Sequence, residues 1–196
     1  SMVVSMLVAS SPALMTFLFT GVMKWVIMFL PLVAAIGIGF AMANNPPREV
    51  ALLMLHGFAA IMGLSFATIF VVFKIGSIVS AFMGAAVLFG VMSFYGYFTK
   101  RSLDSLGKFM FIGLIAIVIA SIANIFIGSG PLGMVISALA IIIFTALTAY
   151  DTQKIREELQ YVDVHPSAEV RGALTLYLDF INIFLSLLQL TGSKNE

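Results

Sequence analysis

One carboxylate stands inside the apolar C-terminal run ALTLYLDFINIFLSLLQL (173–190): Asp179, the single charge between Arg171 and Lys194. A charged acid at membrane depth costs on the order of 3 kcal/mol or more, so such residues face a bundle interior or a water path. Asp151 ends the preceding apolar run in the same way. Two carboxylates brought together cannot both ionise cheaply, and such a pair shares a proton. A shared proton makes a proton-sensitive latch. The same oxygens are hard ligands for a divalent cation, but calcium takes about 6–8 oxygens. With Thr148, Asn182 and water added, Asp151 and Asp179 describe a weak calcium site suited to transit, not storage.

The residues around the two acids extend this chemistry. Thr175, Asp179, Asn182, Ser186 and Gln189 are spaced 4, 3, 4 and 3 apart, which places them on one helical stripe. A stripe of this kind lines an aqueous path or bonds helices together. Thr145, Thr148 and Thr152 share a face of the preceding helix, bordered by Asp151. Lys154, three residues after Asp151, leaves a surface ion pair as the alternative for that acid. Asp179 has no basic residue within two turns on its own helix and needs a partner from elsewhere. His56 and Asn124 are polar residues of other spans, each read as a packing residue or a partner for the pair.

The elements that position these residues follow from composition. The chain is 61% hydrophobic and 10% charged, where a soluble domain carries about 25% charged residues. This predicts an all-α polytopic membrane protein. No basic cluster suits nucleic acid, and the absence of cysteine excludes disulfides and thiolate chemistry. Two histidines are too few for a His-rich metal centre. No resident cofactor is expected. Charges are absent from 1–23, 25–47, 50–73, 75–99 and 109–150, and one span takes roughly 20 apolar residues. The last window holds two spans, broken at Gly128-Ser129-Gly130-Pro131. With 172–191 the expectation is one domain over 1–196 with seven spans, near 2–22, 25–44, 50–73, 77–98, 108–127, 131–155 and 172–191. The first, containing Pro12, reads as a shortened or truncated helix.

Seven spans put Arg48, Lys100, Arg101, Lys108, Lys154, Arg156 and Arg171 on one side and Lys24, Lys74 and Lys194 on the other. The excess marks the first side as cytoplasmic. The N-terminus is then inside, the C-terminus outside, and both acids lie toward the cytoplasmic half. Ala59, Gly63 and Ala67, and then Ser77, Ala81 and Ala85, repeat small residues every four positions, which lets helix backbones approach closely in lipid.

LTAYDTQKI (147–155), ALTLYLDFINIFLSLLQL (173–190) and SFYGYFTKRSLDSLGKFMF (93–111) resemble segments of the transmembrane Bax inhibitor motif family, particularly its bacterial YccA/YbhL-type branch. The resemblance runs from about residue 20 to the C-terminus. It implies six helices around a central seventh in a bacterial inner membrane, and a pH-sensitive calcium leak sensed by an aspartate pair on the last two helices. Those positions match Asp151 and Asp179. Some members carry a basic latch near the cytoplasmic end of the second helix. Arg48 lies in that region, beside Pro46-Pro47. The chain departs from some relatives in lacking an acid in its second span and in its short first helix.

Three functions compete on this reading. The first is a proton-gated, calcium-permeable leak, with the bilayer, calcium and protons as partners and a monomer as the expected state. The second is a non-catalytic regulator, since the branch is linked to a membrane-anchored ATP-dependent quality-control protease and eukaryotic relatives suppress cell death. The third is an enzyme, because Tyr150-Asp151 resembles the first acid of intramembrane aspartyl proteases. Asp179 follows Leu176-Tyr177-Leu178 with no glycine to open the helix, so no catalysis is expected.

Overall fold

A computed structural model describes residues 2–11, 16, 21, 23–160 and 165–195. Among these the regular structure is helical: α1 (Met2–Ala9), α2 (Met23–Ala43), α3 (Arg48–Val72), α4 (Ile75–Phe98), α5 (Asp104–Ile127), α6 (Gly130–Glu158) and α7 (Ala168–Thr191). Five of them, α3 to α7, are long and apolar enough to cross a membrane. Residues 12–15, 17–20 and 22 of the first expected span, Pro12 among them, lie outside the described residues.

The chain forms two compact units. One comprises Ser1–Ile75, His165–Arg171 and Ser193–Glu196, and the other Gly76–Val164 and Gly172–Gly192. In the first, α1 and α2 pack against α3, with Met42, Ala51, Phe58 and Ala67 at most 1% exposed. Between α2 and α3, Asn45 takes φ 50°, a left-handed conformation asparagine tolerates, and Pro46-Pro47 hold the chain off the helix until Arg48. At the far end of α3 a short antiparallel bridge joins Phe73 to Lys194. Lys74 N–H donates to Ser193 O at 3.0 Å and Asn195 N–H to Val72 O at 2.8 Å.

Pro31 lies inside α2. Proline has no N–H, so the carbonyl four residues earlier loses its helical donor. That carbonyl belongs to Ile27, and the hydroxyl of Ser65 on α3 donates to it at 3.1 Å. Where no water reaches the backbone, such a replacement is what makes an intrahelical proline tolerable.

The second unit holds α4, α5, α6 and most of α7. α5 closes on Gly128 at φ 68°. Ser129 then caps α6, its Oγ accepting the Leu132 N–H at 3.3 Å, and Pro131 sits in the first turn, where its missing N–H costs nothing. Four residues thus end one helix and start the next in two residues of connection. Phe82 and Phe89 of α4 meet Phe180 edge-on at 5.3 and 5.6 Å between centroids, joining α4 to α7.

Ser65→Ala is expected to leave the Ile27 carbonyl unpaired and to cost about 1–3 kcal/mol, read as a lower melting temperature in detergent. Pro31→Ala returns the missing N–H, so the double variant should recover most of the loss. A Ser65→Ala loss that persists unchanged in the Pro31→Ala background would sink this account.

Candidate functional site

The C-terminal third of α6 brings the candidate chemistry together. Ala149 packs its backbone against Gly96 of α4 so closely that a Cβ there would overlap the Ala149 carbonyl. The ring of Tyr150 lies over Gly107 of α5, where a Cβ would fall 2.6 Å from it. Ile155 lies against Gly172 of α7, a Cβ there meeting its side chain at 3.0 Å. Glycines at three crossings thus make room for α6, Gly96 for its backbone and Gly107 and Gly172 for its Tyr150 and Ile155 side chains.

Between these crossings the carboxyls of Asp151 and Asp179 lie within hydrogen-bonding reach of each other. Two carboxyls in such contact bond to each other only when one carries a proton, because an ionised carboxylate accepts and does not donate. Asp179 is 4% exposed and Asp151 half-buried. Asp179 Oδ2 is buried and receives no N–H or hydroxyl donor among the described residues. A buried lone pair without a donor is costly, and it gives a proton, a water or a cation a place to bind.

Lys154 does not close an ion pair with Asp151. Its ammonium donates to the Tyr150 hydroxyl at 2.8 Å, and it acts on Asp151 and on Asp104 of α5 through the longer-range field. Thr148 is fully buried and donates to Phe144 O at 2.7 Å, while Thr152 donates to Thr148 O at 2.7 Å. Asn182 donates to Leu178 O at 2.8 Å. These groups therefore turn their protons to their own helices and keep oxygen lone pairs available. Thr175 and Ser186 are half-buried and Gln189 is exposed at the other end of α7. The amide nitrogens of Gln189 and Asn124 both border Gly133.

Arg48 is ion-paired with Glu169 at 2.5 Å, each side chain 54% exposed. Arg171 donates to Asn45 Oδ1 at 2.9 Å. His56, exposed, bonds the Leu52 carbonyl of its own helix, and Asn124 accepts the Ser129 N–H at the end of α5. Among the described residues no group of three or more His, Cys, Asp or Glu side chains is placed to hold a metal ion. Two carboxyls are the acidic content of the site.

Sequence reasoning missed Gln153 and Arg156. Gln153 is buried and bridges to the α4–α5 connection, and Arg156 donates to the carbonyls of Tyr97 and Thr99. The available signal was spacing: 149, 153 and 156 share one helical face, continuing the buried side of α6 beyond its apolar part.

Residues 1–196 match the family described as the inhibitor of apoptosis-promoting Bax1. The chain belongs to that family. It is 38% identical over 191 residues to the inner membrane protein YbhL of Escherichia coli (strain K12), covering 95% of this chain and 82% of YbhL. It is 36% identical over 177 residues to an uncharacterized protein of Rickettsia prowazekii (strain Madrid E), covering 87% and 73%. A membrane protein of Streptococcus pyogenes serotype M3 is 38% identical over 157 residues, covering 79% and 68%. With five apolar spans, this Bax inhibitor family member is an integral membrane protein.

Proposed function

We propose that this protein forms a pH-sensitive, calcium-permeable leak pathway across the membrane, gated by Asp151 and Asp179. One observation carries the reading: two carboxyls within hydrogen-bonding reach of each other on two neighbouring apolar spans, one of them buried with an oxygen that receives no N–H or hydroxyl donor among the described residues. At low pH the shared proton holds α6 and α7 together. Its loss places two negative charges face to face, loosens the contact and offers hard oxygens to a cation. Thr148, Thr175, Asn182, Ser186 and Gln189 supply further oxygens along the path. Lys154 and Asp104 set the local field, so calcium meets a net negative mouth once the pair has ionised.

Its likeness to an inner membrane protein supports a bacterial inner membrane as its location, and the Lys and Arg excess supports a cytoplasmic α6–α7 connection.

The test is calcium uptake into liposomes containing purified protein at about pH 6 and about pH 8, for wild type and Asp179→Asn. Uptake should be larger at the higher pH in the wild type and lose that dependence in the variant. Uptake no greater than into empty liposomes at either pH would overturn the leak and favour non-catalytic regulation of a membrane-anchored protease.

A further inference from the structure

The Gln153 side chain is 4% exposed and uses both ends of its amide. Its Oε1 accepts the Leu103 N–H at 2.8 Å and its Nε2 donates to the Arg101 carbonyl at 2.9 Å. Leu103, 7% exposed, immediately precedes α5, and that helix start has no side-chain cap of its own. One amide on α6 thus stands in for backbone and ties down the connection between α4 and α5.

Arg156, one turn on, performs the complementary task. It donates to the carbonyls of Tyr97 and Thr99 at the end of α4, where a cation also complements the helix dipole. Its guanidinium lies 6.0 Å from the centre of the Tyr97 ring. With the Gly96–Ala149 and Gly107–Tyr150 contacts, α4, α5 and their connection grip α6 from residue 149 to residue 156. Asp151 is inside this grip. The neighbouring helix α7 meets the same stretch through Gly172 against Ile155 and through Asp179. The charged groups around the turn are Asp179 from α7, Asp104 from α5, and Lys154 and Arg156 of α6 itself.

We infer that Gln153 is a positioning residue: by bolting the α4–α5 connection to α6 it fixes the place of Asp151 in the aspartate pair. This rests on the aspartate-gated reading above. Gln153 touches neither carboxyl in this role and acts through the backbone it holds.

The chain has no cysteine, so a spin-label pair can be introduced at Lys100/Gln160, both exposed positions. In the wild type this distance should be unchanged between acid and alkaline pH. Gln153→Met, close in size and unable to make either bond, should broaden it and displace the pH midpoint of calcium uptake. Gln153→Glu, which keeps an acceptor for Leu103, should fall between. A Gln153→Met protein with an unaltered Lys100/Gln160 distance and midpoint would overturn the inference.

Wild-type protein supplies a check that does not depend on any variant folding. The Leu103 amide should exchange with deuterium on the order of tenfold more slowly than the neighbouring exposed amides of the connection. Exchange as fast as theirs would overturn the inference. Distances that behave as stated in a protein that passes no calcium would support the positioning role and sink the leak alone.

Discussion

Every backbone N–H and C=O within hydrocarbon must find its partner in the protein, because lipid supplies none. Much of this molecule is arranged around that requirement. Where Pro31 withdraws a donor, Ser65 replaces it. Where α5 ends, Gly128 and Ser129 turn the chain and cap the next helix within two residues. Where the α4–α5 connection leaves regular structure, Gln153 and Arg156 reach across from α6 to serve its carbonyls and an amide.

The second constraint is proximity. In lipid there is no hydrophobic drive to press helices together, so close packing and polar contacts must do so. Gly96 admits the α6 backbone to α4 and Gly107 admits the Tyr150 ring to α5, and the Phe82–Phe180 and Phe89–Phe180 edges seat α7 on α4. The carboxyl contact between α6 and α7 adds a polar contact to this apolar packing.

The all-α membrane class could be read from charge-free windows alone, and the Gly128-Ser129-Gly130-Pro131 break marks where α5 gives way to α6. Asp151 and Asp179 were legible because a lone acid in an apolar run has few explanations. Their partnership was expected from the family resemblance, but spacing alone leaves open the depth at which the two helices cross, which small residues such as Gly172 help decide. Gln153 was hidden for a different reason. It sits in the polar segment DTQKIREE, where an uncharged amide reads as solvent-facing, and its burial comes from a loop some fifty positions earlier (|i−j| of 50 and 52). The ion pair of Arg48 with Glu169 was likewise beyond reach of local pattern.

The amide at position 153 narrows what this site can be made of. A group there must accept from one backbone atom and donate to another two residues away, from a single plane and at the reach of two methylenes. Glutamate has the reach but no donor, lysine has donors but no acceptor, and asparagine is one methylene too short. Among the twenty residue types the geometry admits one. A position of that kind is specified by hydrogen-bond polarity and reach, as a ligand to a metal is specified by its donor atom.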